Sequence, residues 1–282
     1  MKCPAITILA LLVTLLMSAV QSAQAQDVMI PNFWDQNVRL AKPDVSKIPR
    51  LRYLTTTDFP PFNFIDRKKR LTGFHIDLAR AICEELELLN RCEIQALPWA
   101  DLQSALEKGE GEAILAGHVI SAETREIYDF SHPYFRIPAR FVVRQADGLN
   151  APAFNALWKK KTAVISGSSH AAYFADNFSD RLAIEYPNRQ AALSALKNDE
   201  VDAVFSDALS LSFWLSSANE EDCCQFLDGA FMSEKHFGPG LSVALPKNRP
   251  ELQGAMNYAL SNLSQKGTFA ELYLRYFPVG LF

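Results

Sequence analysis

The feature that most constrains this chain is an alternation of short β-rich runs and helix-periodic stretches, laid down twice. In the first block Leu51 to Thr55 is β-rich, and Asp58-Phe59-Pro60-Pro61 ends it, because proline has no N–H to give to a ladder. Ile76, Leu78, Ala79, Ile82, Leu86 and Leu89 then recur at helical spacing. Glu93 to Leu97 reads as the next strand, Leu102, Ala105 and Leu106 as a short helix ended by Gly109, and Ala113 to Ala116 as a buried strand. In the second block the strand Thr162 to Ile165 leads to a helix opened by Gly167-Ser168-Ser169 and running through Phe174. The strand Leu182 to Tyr186, the helix Arg189 to Lys197, the strand Ala203 to Phe205 and the helix Ala208 to Leu215 follow. Leu241 to Leu245 reads as a strand, and helices from Pro250 to Leu263 and Thr268 to Tyr276, parted by Gly267, close the chain. Such alternation predicts the α/β class, with mostly parallel sheets covered on both faces. Ligands of such sheets bind beyond the carboxyl ends of the strands.

The first residues carry a different message. Lys2 supplies a short positive region, Ala5 to Val20 is an apolar run, and Ala23-Gln24-Ala25 matches a small-residue cleavage pattern. The stretch is shorter than the roughly 20 residues a membrane span needs, so a leader cleaved after Ala25 is expected. Cys3 precedes the apolar run, and no cysteine follows it at a lipid-attachment position, which favours a soluble exported protein. Residues 26 to 48 hold Pro31 and Pro43 without a sustained period and read as an arm on the first lobe, with Phe33 and Trp34 as anchors. The remainder is the right size for two lobes of about 100–150 residues.

Removing Lys2 with the leader takes the formal charge from −4 to −5. Only Arg67-Lys68-Lys69-Arg70 and Lys159-Lys160-Lys161 are basic runs, and both read as solvated turns. Nucleic-acid binding needs a basic footprint across a face, so it is not expected. Four cysteines remain after cleavage. A bridge between Cys83 and Cys92 would suit an oxidising compartment. Cys223 and Cys224 are either free thiols or a vicinal disulfide. No C-x-x-C spacing is present, so neither zinc nor any other cofactor is expected.

Three loops at strand ends offer groups suited to a zwitterion. Gly117-His118-Val119-Ile120-Ser121 leads to Arg125, whose planar fork matches a carboxylate. Gly167-Ser168-Ser169 brings free N–H groups at a helix start. Asp207 follows Ala203 to Phe205 and would hold an ammonium. Each has a plainer use: Arg125 as a solvated side chain, Asp207 and Ser168 or Ser169 as helix caps, Phe59 and Trp99 as core.

Several stretches together resemble a known family. They are Thr56-Thr57-Asp58-Phe59-Pro60-Pro61-Phe62; Leu71-Thr72-Gly73-Phe74-His75-Ile76-Asp77-Leu78; Trp99 with Leu102 and Leu106; and Arg125 followed by Asp129-Phe130-Ser131. Further on come Val201 to Asp207, and His236-Phe237-Gly238 through Gly267-Thr268-Phe269 to Tyr276-Phe277. In this order, over about residues 50 to 280, they resemble the polar amino-acid-binding proteins of ABC transporters (solute-binding protein family 3), which include lysine/arginine/ornithine- and glutamine-binding members.

The resemblance implies the type II periplasmic-binding-protein fold, two α/β lobes joined by a two-segment hinge. Residues 49–135 plus 237–282 would form one lobe and 136–236 the other. It implies a monomeric periplasmic receptor, not an enzyme, that closes on a small amino-acid-like ligand, an amino acid or related carboxylate or amine, for a membrane permease. Carried over by position, Arg125 would clamp the carboxylate with Ser169, Asp207 would take the α-ammonium, and Phe59 and Trp99 would sandwich the side chain. Gly117 and His118 would line the site, and Cys83–Cys92 would match the disulfide of the lysine/arginine/ornithine-binding members. Thr56 stands where members that bind basic side chains have Asp, which removes a partner for a cationic side chain. Ile120 stands where a hydroxyl usually precedes the clamp Arg, and His75 where the signature has an acid. His118 would either replace the lost donor or line a site for a different carboxylate or amine. Two alternatives are an enzyme on the same fold, similar to the cyclohexadienyl dehydratases with His118 as acid or base, and a sensor for a signalling partner.

Overall fold

The computed structural model describes residues 30–282 apart from 36, 150–151, 218–222 and 278–279. The expected leader, residues 1–25, and the start of the arm lie outside the described residues. Among the described residues no helix is long and apolar enough to cross a membrane, and no group of three or more His, Cys, Asp or Glu gathers to hold a metal ion.

The first lobe is built on β1 (Leu51–Thr55), β5 (Cys92–Ala96) and β6 (Ala113–Ile114), which pair in parallel. Between β1 and β5 lie three short antiparallel strands, β2 (Asp58–Phe59), β3 (Asn63–Ile65) and β4 (Leu71–Thr72), and then helix α1 (Phe74–Glu85). Gly73 precedes α1 with φ 130°, and a Cβ there would stand 2.3 Å from the Phe62 carbonyl oxygen. Only glycine fits both the backbone angle and the contact. Helix α2 (Leu102–Glu107) covers the sheet before β6, and α3 (Ala122–Ile127) follows it to β7 (Asp129–Phe130).

The second lobe begins with β8 (Ala139–Arg144) and a short helix α4 (Ala153–Ala156). It continues through β9 (Lys161–Ile165), α5 (Ser169–Asn177), β10 (Leu182–Tyr186), α6 (Arg189–Lys197), β11 (Ala203–Asp207), α7 (Ala208–Leu215) and β12 (Cys224–Phe226). Helix α8 (Glu234–Phe237) lies on the way back to β13 (Ala244–Leu245), and α9 (Pro250–Gln265) and α10 (Thr268–Tyr276) end the chain. The sheet orders are β5-β1-β6-β13-β7 and β10-β9-β11-β8-β12. Caps explain the helix starts: Ser121, Ser168, Asn188 and Asp207 each accept a first-turn N–H, and Pro250 opens α9.

Neither sheet is purely parallel. Strand β13 runs antiparallel to β6 and β7, and β8 runs antiparallel to β11 and β12. Both β8 and β13 directly follow a crossing from one lobe to the other, through residues 131–138 and 227–243. A strand that starts at the end of the sheet where its parallel neighbours finish must run against them.

The lobes have separate apolar cores, with one exception. Ala208 and Leu209, the first turn of α7, are buried in the core of the first lobe with Phe135 and Leu241. The arm lies on that core too: Phe33 meets the rings of Phe135, Phe269 and Phe282, and Trp34 stacks on His132 at 5.4 Å. Cys83 is bonded to Cys92, joining α1 to the start of β5, and Cys223 is bonded to Cys224.

Candidate ligand site between the lobes

On the first lobe the strand ends place an aromatic floor. Gly117, just past β6, has φ 92°, and a Cβ there would come within 2.6 Å of the Phe59 ring. Phe59 stacks on Phe62 at 4.7 Å. His118 is buried, stacks on Trp99 at 4.6 Å and meets Tyr128 edge-on. Trp99 itself is 55% exposed, so this ring is open to a visitor. Burial pushes the His118 imidazole down to about 4, which keeps it neutral, and its Nδ1 has no partner. Gly117→Ala should force Phe59 from its stack and cost about 1–3 kcal/mol of stability in urea denaturation. An unchanged midpoint would show that the loop yields instead.

Thr56 lies beneath this floor at the end of a buried hydrogen-bonded chain. Asn63 Nδ2 donates to Thr56 Oγ1 at 2.7 Å, and Asn63 Oδ1 faces His75 Nδ1 at 2.7 Å. The Tyr134 hydroxyl meets His75 Nε2 at 2.7 Å. With Asn63 Oδ1 as acceptor, His75 carries its proton on Nδ1 and accepts from Tyr134 on Nε2. Burial pushes His75 down to about 3, so it is neutral in the fold.

Helix α3 presents Arg125 at a cavity beside this floor, which it shares with Tyr128, the edge-on neighbour of His118. Ser121 and Thr124 form a capping box, and Thr124 Oγ1 donates to the Val119 carbonyl. Arg125, one residue further round the helix, is exposed. It lines a flank cavity with Ile120, Asp129, Arg136 and Lys247, and none of Phe59, Trp99, Gly117, His118, Ser169 or Asp207 lines that cavity.

The second lobe contributes the ends of β9, β10 and β11. Ser168 caps α5 through Ala171 N–H, which leaves the exposed Ser169 outside the cap. Asp207 has two engagements: Oδ1 accepts from Ser210 N–H at 2.7 Å, and Oδ2 accepts from Arg189 at 2.8 Å. The capping use therefore holds, and a guanidinium occupies the other oxygen. His170, beside Ser169, stacks on Phe237 at 4.8 Å. Burial holds His170 below the usual imidazole range, with Asp207 pulling it up and Arg189 pushing it down.

Sequence reasoning missed Arg189 and His170. Their signal was available, since Arg189 opens the helix after β10 and His170 follows Ser169. The second crossing ties the two walls together. Phe237 stacks on His170, Leu241 bridges Val119, and Ser242 N–H donates to the His118 carbonyl at 3.0 Å. A Cβ on Gly238 would meet Val119 at 2.8 Å.

The model of the bacterial extracellular solute-binding proteins, family 3, matches residues 51–279. The ABC transporter arginine-binding protein 1 of Escherichia coli (strain K12) is 25% identical, over 83% of this chain and 93% of its own. A solved ancestral cationic amino acid solute-binding protein superposes with a TM-score of 0.61 at 26% identity, covering 83% of this chain and 97% of that one. An ancestral cyclohexadienyl dehydratase superposes with a TM-score of 0.66 at 20% identity, covering 83% and 95%, and shares the fold.

Proposed function

This chain belongs to the bacterial extracellular solute-binding proteins, family 3, and on that premise we propose that it is the exported receptor of an ABC importer. It takes a solute of amino-acid size, an amino acid or a related carboxylate or amine, between its lobes and delivers it to a membrane permease. Residues 49–135 plus 237–282 turn as one lobe against 136–236, and the chain works as a periplasmic monomer freed of residues 1–25. Hinge closure around a ligand is a well-attested behaviour of this architecture.

The observation that carries the reading is the joining of both walls to one crossing segment, through Phe237 to His170 and through Ser242 to His118. Phe59 and Trp99 pack the apolar part of the ligand, Gly117 and His118 line the floor above Thr56, and Ser169 faces them from the second lobe. Arg125 and Ile120, which line the cavity beside the floor, approach the ligand from that side. The receptor is preferred to an enzyme because His118, the acid–base candidate of the floor, is a weak base at about 4.

The test is a thermal-shift screen against amino acids, amines and small carboxylates. A ligand at 100 times its Kd adds about 2.7 kcal/mol, or roughly 5–10 °C at this size. Trp99→Ala should weaken the hit at least about tenfold, the scale of a lost aromatic contact. A screen in which nothing raises Tm, or a hit indifferent to Trp99→Ala, ends the reading.

A further inference from the structure

We propose that Arg189 grips the ligand's carboxylate, and that the solute is a small organic acid without a protonated α-amino group, such as a 2-oxo acid or a dicarboxylate. This rests on the receptor reading above and narrows its ligand class.

Arg189 is the first residue of α6, just beyond β10. Strand β9 lies between β10 and β11 in the sheet. To reach Asp207 at the end of β11, the guanidinium must span the mouth of β9, from which the loop to Ser169 rises. It is 42% exposed there, so its remaining N–H groups stay available. Only one of its nitrogens is committed to Asp207, and the planar fork suits a second carboxylate.

Asp207, the carboxylate that Arg189 meets, is already engaged on both oxygens. Asp207 caps α7 with one oxygen and holds Arg189 with the other, with Ser206 Oγ 3.4 Å from the same oxygen. Glu185 accepts from Ser166 Oγ at 2.6 Å. An incoming ammonium would share Asp207 Oδ2 with a guanidinium, and like charges at such range repel. His170, stacked on Phe237, brings no negative charge. Across the cleft Thr56, Phe59, Trp99, Gly117 and His118 bring no carboxylate either. An exposed guanidinium with N–H groups to spare, beside an Asp207 already in use, makes a site for an acceptor-rich anion.

Calorimetric titration of the exported chain with matched sets tests this: glutamate, 2-oxoglutarate and glutarate; aspartate and malate; phenylalanine and phenylpyruvate. In at least one set the member without the amino group should bind at least tenfold tighter than the amino acid. Arg189→Ala and Arg189→Gln should each weaken it at least tenfold, with melting curves confirming that both variants fold. Asp207→Asn keeps a capping side chain and frees Arg189, and it should tighten the acid severalfold. Tighter binding of the amino acid in every set that binds, or Arg189 variants equal to the parent, overturns the inference and leaves the receptor standing. No binding in any set overturns both.

Discussion

Lowering the pH from 7 to 4 should remove several kcal/mol of stability, much of it through two buried histidines. His75 is held at about 3 and His118 at about 4, both by burial. The unfolded imidazoles titrate near 6.5, so below that pH the unfolded chain binds more protons than the folded one. Their contribution is whole above about pH 6.5 and is lost as the pH falls towards the folded values. Each group is worth on the order of 3 kcal/mol between pH 6.5 and 4. Urea denaturation across that range checks it. His75→Gln, which leaves Asn63 and Tyr134 mismatched, should be less stable at pH 7 and show a shallower acid slope. An equally steep slope in that variant would remove His75 from the account and leave the loss to His118 and the carboxylates.

Phe135→Ala should cost about 3–5 kcal/mol, the range for a fully buried aromatic. Its ring is 0% exposed and lies 5.2 Å from Phe62, 5.5 Å from Phe74 and 4.9 Å from Phe277. Phe33 of the arm reaches it at 6.2 Å, so the variant also loosens the arm. Its carbonyl accepts from Leu241 N–H at 2.7 Å, which couples the two crossings. A loss below about 1 kcal/mol in urea denaturation would show that Phe33 or Phe62 refills the space.

The strands with their helices were legible because caps and periods agree. Leu182–Tyr186, Arg189–Lys197, Ala208–Leu215 and Thr268–Tyr276 lie where spacing puts them. Strand β8 escaped notice: it belongs to neither βα repeat, since it enters its sheet from a crossing rather than after a helix. Strands β2, β4 and β7 are two residues each, too short for any period. At the site, Gly117, His118, Ser169 and Asp207 follow from the strand-end rule, but their partners do not. That Arg189 meets Asp207 depends on the strand order β10-β9-β11, which no local pattern encodes. The Thr56–Asn63–His75–Tyr134 chain joins positions 7, 12 and 59 apart. Arg125 shows a further limit: spacing puts it in the first turn of a helix, but not which way its side chain faces.

The stretch of the second crossing between Phe237 and Ser242 carries a mechanical consequence. It is stacked on one wall of the candidate site and hydrogen-bonded to the other, so on the proposed closure the pivot and the ligand's seat would share one short piece of chain. A solute that alters the spacing of His170 and His118 would then load that pivot directly, with no relay of intervening side chains. Gly238 lies where an added Cβ would stand 2.8 Å from the Val119 side chain, so this piece of chain is packed tightly against the first wall. What a membrane partner would read is then an angle, written by the ligand at the fulcrum and magnified along the length of two lobes.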